Sequence, residues 1–391
     1  MATIPADTSI QPFKVDVAEA DLDDLRDRLT RTRWPDARPG ESWAAGVPKA
    51  YLGSLVDYWT REFDWRAQEA RLNAIPQFRT TIDDQVIHFL HARSGEPGAL
   101  PLLLVHGYPG SVFDYLELTS PLIDPRTDGA NPADAFDLVI PSLPGFGFST
   151  PVTKPGWEAV RTARALVELM RRLGYTRYGA HGYDIGAGVA GEIGAYAAGA
   201  LVGAHVATDP AALAYLGLLP EPGEDTDPAI RATVERLRAE AEDGTGYLRL
   251  QSTRPQTIGY GLTDSPALQL AWIVEKVKEW TDRSQELPEE SVDRDVMLAN
   301  VSLYWFTRCG ASAASFIYEA AHADRDWGAQ NPSPMGFAVF GSEPIVRQTL
   351  DPKHQLAHWS EFARGGHFAA LEAPDLLVGD IRAFFRELRK G

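Results

Sequence analysis

Gly182-Tyr183-Asp184-Ile185-Gly186 sets one carboxylate between two glycines, each separated from it by a single residue. The spacing matches G-x-S-x-G, a sharp passage from strand to helix that thrusts its central side chain above a sheet. Glycines suit a turn whose backbones meet closely, and the helix that follows presents its N-terminus to the reacting group. Aspartate in the serine position changes the chemistry. Serine would transfer acyl groups, whereas a carboxylate attacks saturated carbon, expels an alkoxide oxygen or a halide, and is left as an alkyl ester. With an ordinary pKa of about 3.9 the carboxylate is ionised at neutral pH, so a base is needed only to hydrolyse the ester. A second motif overlaps the first: Gly186-Ala187-Gly188-Val189-Ala190-Gly191 satisfies G-x-G-x-x-G, and Asp209 stands near the spacing of a ribose-binding acid. A dinucleotide site wants an apolar strand running directly into its first glycine. Here His181-Gly182-Tyr183-Asp184 intervenes.

Outward from the turn, Leu102–Val105, Phe136–Pro141 and Gly336–Phe340 are short apolar runs bounded by polar residues, Gly or Pro, and Val202–Ala207 reads as a further strand. Helical stretches such as Ala159–Leu173 separate them, which predicts an α/β fold with a mostly parallel central sheet. Phe78–Ile82 and Gln85–His91 flank Asp83-Asp84 and predict an antiparallel hairpin at the sheet edge. Ahead of them, leucines at helical spacing in Ala18–Leu29 and again in Tyr51–Phe63 predict an amphipathic arm, broken at Trp34-Pro35. Strand signals vanish after Pro210, and Ile230–Ala241 and Leu268–Trp280 predict a helical lid. The expected divisions are an arm and hairpin over 1–95, a first core segment over 96–209, the lid over 210–300 and a second core segment over 301–391.

His106-Gly107-Tyr108-Pro109-Gly110 follows the strand Leu102–Val105, where a loop would supply one oxyanion-hole amide. The backbone N–H groups of Tyr108 and Ile185 would then hold the negative oxygen formed when water attacks the ester. The His106 side chain itself reads as structural. Arg364-Gly365-Gly366-His367-Phe368 puts a histidine on a glycine-rich turn before a final helix from Asp375, last in the chain order nucleophile, acid, histidine. Glu343, just beyond Phe337–Phe340, is the preferred acid to orient that imidazole, with Asp209 at the end of Val202–Ala207 as the alternative. Expelling an alkoxide also calls for a proton donor, and a phenol, protonated at neutral pH, suits the task. The chain has thirteen tyrosines, and spacing alone does not choose among them.

A chain of 391 residues with 44% hydrophobic and 10% aromatic content can bury a large core. Its net charge of −17 disfavours nucleic acid and anionic membranes and suits a small uncharged substrate. The single cysteine, Cys309, forms no internal disulfide, and Met1-Ala2-Thr3-Ile4-Pro5-Ala6-Asp7 lacks the basic start and apolar run of a signal peptide, so a cytoplasmic location is expected.

Together these residues resemble the microsomal-type epoxide hydrolases, which include juvenile-hormone hydrolases and soluble fungal and bacterial members. The resemblance covers nearly the whole chain: Pro12-Phe13-Lys14-Val15 and Thr32–Asp36 in the arm, the His106–Ser111 loop, the aspartate turn, the lid stretch Gly246–Thr257 and Arg364–Phe368. It implies an α/β-hydrolase fold with an N-terminal arm. It further implies conversion of an epoxide and water to a vicinal diol through an ester on Asp184, with Tyr247 and Tyr318 as proton donors and Glu343 at the family's acid position. No metal or organic cofactor is implied; a homodimer is compatible with the arm and lid. The resemblance extends to actinobacterial biosynthetic members that act on bulky epoxides, enediyne precursors among them. Many relatives carry Trp where this chain has Tyr108 and Ile185, which predicts a different pocket shape. Two other readings share the residues: a haloalkane dehalogenase, disfavoured because Ile185 offers no halide donor, and a non-catalytic binding protein using the same pocket.

Overall fold

In the computed structural model, which describes residues 9–282, 284–324 and 331–389, the chain enters the sheet with a three-residue edge strand, β1 (Gln11–Phe13). The amino-terminal stretch through Asp7 lies outside the described residues. Helices α1 (Glu19–Thr30), α2 (Lys49–Arg61) and α3 (Trp65–Asn73) form the arm. Leu22, Leu25 and Leu29 recur at helical spacing and are buried, so α1 lies with one apolar stripe against the body. Asp64 starts α3 by accepting the Ala67 N–H at 3.1 Å.

The hairpin follows as β2 (Gln77–Ile82) and β3 (Gln85–Ala92), with Ile82 opposite Gln85. Asp83 and Asp84 both take positive φ, 51° and 60°, which lets a two-residue turn match the twist of the strands. The pattern of β1 is too short to read from sequence, and it pairs antiparallel with β2.

Strands and helices then alternate: β4 (Leu100–Val105), α4 (Leu116–Ile123), β5 (Phe136–Pro141), α5 (Ala159–Arg172), β6 (Tyr178–Tyr183), α6 (Ile185–Tyr196) and β7 (Leu201–Thr208). An insertion follows with α7 (Ala211–Tyr215), α8 (Pro228–Gly244), α9 (Gly246–Thr253), α10 (Pro255–Asp264), α11 (Pro266–Trp280), α12 (Arg294–Thr307) and α13 (Gly310–His322). The chain closes with β8 (Met335–Phe340), α14 (Pro344–Leu350), β9 (His358–Phe362), α15 (Ala369–Glu372) and α16 (Pro374–Leu388). Helix runs on past residue 300, through α12 and α13 to His322, before β8 begins at Met335.

The nine strands order as β1-β2-β3-β5-β4-β6-β7-β8-β9, antiparallel from β1 to β5 and parallel from there on. Leu102 to Val105 are fully buried at its centre. β6 has no apolar run to announce it, and α16 presses on the sheet there: a side chain at Gly179 of β6 would collide with Phe385, and one at Gly203 of β7 or Gly336 of β8 with Phe384. The last helix is also held by polar contacts. Asp380 on α16 bonds His205 Nε2 on β7 and His358 Nε2 on β9, each at 2.8 Å, and His205 in turn meets His181 at 2.8 Å. No helix among the described residues is long and apolar enough to cross a membrane.

Candidate active site

Asp184 occupies the junction of β6 and α6 with φ 51° and ψ −125°, a conformation that costs a non-glycine residue about 1–3 kcal/mol. The glycines make it possible. A side chain on Gly182 would strike the Gly186 carbonyl, one on Gly186 would strike that of Val105, and one on Gly107 would press on Asp184 itself. The carboxylate therefore emerges at the carboxyl edge of the parallel strands, under the loop after β4. Tyr108 N–H donates to its Oδ1 at 2.7 Å, and Ile185 N–H also bonds it. Burial raises the Asp184 pKa, opposed by the His367 charge and by these two amides. The two predicted oxyanion donors thus converge on one carboxylate.

His367 sits in the loop between β9 and α15, its backbone N–H donating to the Trp280 carbonyl at the end of α11 at 2.9 Å. Its Nε2 lies 3.7 Å from Asp184 Oδ2 and has no hydrogen-bond partner among the described residues, while its Nδ1 lies 3.0 Å from Asp209 Oδ2. Asp209 is fixed by the Ala211 N–H at 2.7 Å on its other oxygen. Burial works to lower the imidazole pKa, but the bond to Asp209 and the charges of Asp209 and Asp184 outweigh it, and the pKa is raised. This geometry puts the proton of the neutral ring on Nδ1 and leaves Nε2 as a base. Trp280 also packs its ring on His367, with centroids 4.9 Å apart, and on Tyr247 at 5.3 Å.

Glu343 is not brought to the imidazole. It stands at the start of α14, facing lid helix α8, where Arg236 Nη2 reaches its Oε1 at 2.5 Å and Thr233 Oγ1 donates to its Oε2 at 3.1 Å. The acid next to His367 is Asp209, the alternative, and the cause is local: β7 ends at the carboxyl edge of the sheet, where Asp209 faces the histidine loop, whereas Arg236 and Thr233 of the lid claim the carboxylate after β8. A third acid, Glu372, braces the same loop by accepting the N–H groups of Phe368 at 3.0 Å and Asp282 at 2.8 Å. Burial pushes its pKa up to about 7.

Tyr247 leaves α9 into this space. Its phenol pKa is well raised, first by burial and then by the nearby Asp184 charge, and its hydroxyl makes no hydrogen bond among the described residues. Lys276, buried on α11, places Nζ 4.8 Å from the Tyr247 ring centre and pairs with Glu275 and Glu279. The Tyr108 ring lies parallel to that of Tyr247, and its oxygen accepts from Gln251 Nε2 and Trp272 Nε1, both at 2.8 Å. Sequence reasoning missed Gln251, Trp272 and Trp280, whose only signal was their place on lid helices. Tyr318 sits on α13, which packs against α9, with its half-buried ring stacked on His322 at 4.1 Å. Among the described residues no hydrogen bond or ring contact joins it to Asp184, His367 or Tyr247.

His106 is structural. Its Nδ1 meets the Gly107 carbonyl at 2.9 Å, its Nε2 accepts the Leu143 N–H at 3.1 Å, and burial drops its pKa to about 4. The G-x-G-x-x-G stretch lies inside α6, not at a phosphate loop. His205, His358 and Asp380 bring ligand-type atoms within 4.8 Å of one another, but the aspartate already bonds both rings, which describes a satisfied polar clamp.

Two family models match the chain: epoxide hydrolase N terminus over residues 10–115 and alpha/beta hydrolase fold over residues 101–374. The chain is 44% identical to the "Putative epoxide hydrolase" of Stigmatella aurantiaca, over 97% of this chain and 86% of that one. It is 32% identical to epoxide hydrolase 1 of Oryctolagus cuniculus, over 97% and 89%. Among solved structures, juvenile hormone epoxide hydrolase from Bombyx mori superposes with a TM-score of 0.84 at 30% identity, covering 98% of this chain and 96% of that one. The Aspergillus niger epoxide hydrolase gives 0.81 at 30% identity, covering 98% and 97%. An aspartate turn beneath two backbone donors, faced by an imidazole and roofed by a helical insertion, thus coincides with sequence likeness along almost the full length, and the chain belongs to the epoxide hydrolase family of the α/β-hydrolase fold.

Proposed function

We propose that the protein converts a small uncharged epoxide to a vicinal diol through an ester on Asp184. Asp184 Oδ2 attacks a ring carbon from the face opposite the C–O bond, which breaks as Tyr247 gives its proton to the departing oxygen. Tyr318, on the helix packed against that of Tyr247, is the second phenol of this reading. His367 Nε2 then takes a proton from water, and the hydroxide adds to the Asp184 carboxyl carbon. Tyr108 and Ile185 N–H groups hold the oxyanion. Collapse expels the second diol oxygen, which takes the imidazolium proton; the acid left at Asp184 returns its proton to the Tyr247 phenolate. Asp209 keeps the ring oriented and stabilises its cation. Epoxide plus water gives diol, and no group is left altered.

One observation carries this reading: one carboxylate oxygen of Asp184 accepts the Tyr108 N–H while the other faces an unpartnered imidazole nitrogen at 3.7 Å. Halide release is disfavoured because the indole N–H groups nearby are engaged, Trp272 with Tyr108 and Trp280 with the Tyr215 hydroxyl at 3.3 Å. A single turnover of styrene oxide in ¹⁸O-water tests the route. Label is expected in the peptide containing Asp184; label confined to the diol would overturn the ester intermediate.

A further inference from the structure

Tyr108 touches both reacting parts of the site. Its backbone N–H holds Asp184 Oδ1 at 2.7 Å, and the oxygen at the far end of its buried ring accepts from Gln251 on α9 and Trp272 on α11. Gln251 follows Tyr247 by four residues, so both side chains leave α9 on one face. On that face the Tyr108 and Tyr247 rings stand parallel within 2°, their centres 6.1 Å apart. Gln251 is fully buried, its Oε1 has no partner among the described residues, and Tyr108 receives the hydrogen bond its amide makes.

We propose that the Tyr108 hydroxyl is a positioning group for ring opening, fixing the Tyr247 phenol relative to Asp184 by bonding Gln251 and Trp272 of the lid. The inference rests on the epoxide chemistry proposed above. A carboxylate must approach carbon from one side while the proton donor reaches the departing oxygen on the other, and a misplacement of about 1 Å costs on the order of 100-fold in rate. Tyr108 ties the two groups together within one residue: its backbone sets the nucleophile and its side chain sets the helix bearing the acid. Ester hydrolysis draws on His367, whose ring is oriented by Asp209 at the end of β7 and whose backbone rests on the Trp280 carbonyl at the far end of α11, about two turns beyond Trp272. The α9 bond to Gln251 bears on the Tyr247 phenol and not on that imidazole, so the hydroxyl serves chiefly the first half-reaction.

Tyr108→Phe keeps the ring and the backbone donor and removes one oxygen. Single-turnover quench with styrene oxide, followed by intact-protein mass, resolves growth and decay of the alkylated enzyme. Growth is expected to slow about 10- to 100-fold, with decay within about twofold of the parent. In a Tyr247→Phe background the same change is expected to cost less than about threefold, because the group it positions is gone. Gln251→Leu, which keeps the Tyr108 hydroxyl and removes its α9 partner, is expected to reproduce the loss confined to growth. Equal slowing of both steps, unchanged growth in both variants, or the full loss persisting beside Tyr247→Phe would overturn the proposal. A parent protein that forms neither adduct nor diol would instead remove the hydrolase reading beneath it.

Discussion

Asp209 Oδ2 lies 3.0 Å from His367 Nδ1, joining the end of β7 to the loop after β9. Asp209→Asn keeps the shape and removes the charge that stabilises the imidazolium, so decay of the alkylated enzyme is expected to slow by about 10²–10⁴-fold and the ester to accumulate. Glu343→Gln breaks a partly exposed pair with Arg236, worth about 0.2–1 kcal/mol, and is expected to leave ester decay within about threefold. Stopped-flow and mass measurements on both variants decide between the acids. Stalling in Glu343→Gln alone would return the role to the position after β8.

The pH dependence follows from the same pair. The His367 pKa is raised in the free enzyme, and the base works only when neutral, so ester hydrolysis gains rate as pH rises through that raised value. The Asp184 charge helps to raise it, and alkylation removes that charge. The acid limb of ester hydrolysis is therefore expected below the imidazole pKa of the free enzyme, which NMR titration reads directly. In Asp209→Asn both should move to lower pH, since the main raising influence is gone; a limb that stays in place would exclude His367 as the titrating group.

Tyr247 and Tyr318 are separable by substitution. Tyr247→Phe, next to the Asp184 charge, is expected to lower the alkylation rate by about 10²–10⁴-fold. Tyr318→Phe reports whether a second phenol shares the proton: a loss of about tenfold or more in alkylation supports the pair, and unimpaired turnover would leave Tyr247 as the sole donor.

The clamp under α16 predicts a stability effect apart from catalysis. Burial works to raise the Asp380 pKa, yet the bonds from His205 and His358 hold it well below the usual carboxylate range. A depressed pKa of this kind contributes stability above the unfolded value of about 3.9, and that contribution is lost as pH falls toward the folded value. Asp380→Ala is expected to cost about 3–5 kcal/mol in urea unfolding at pH 7, with a smaller difference from the parent in strong acid. Equal stability at pH 7 would show that the histidines repack without it.

The placing of Asp184, the Tyr108 and Ile185 amides and His367 in one site was legible because backbone geometry demands their surroundings: glycines where chains collide at 182 and 186, and a loop directly after β4. The hairpin was legible for a similar reason, through two aspartates able to adopt positive φ. The acid was not. Asp209 and Glu343 both follow core strands, and only the lid residues Arg236 and Thr233, remote in sequence, decide which carboxylate is left for His367. β6 carries no aliphatic run because two of its positions must be glycine, 179 against Phe385 of α16 and 182 against the Gly186 carbonyl. Tyr108 was identified by its backbone, while the use of its hydroxyl depended on helices whose docking no local pattern encodes.

Trp280 gives roof and floor a shared beam. Its carbonyl anchors the backbone of His367 and its ring lies on that imidazole, so a lid that swung open as a leaf would carry off the support of the base. Raising the roof and unseating the base are then one motion, so the insertion has to stay seated for as long as the imidazole is at work.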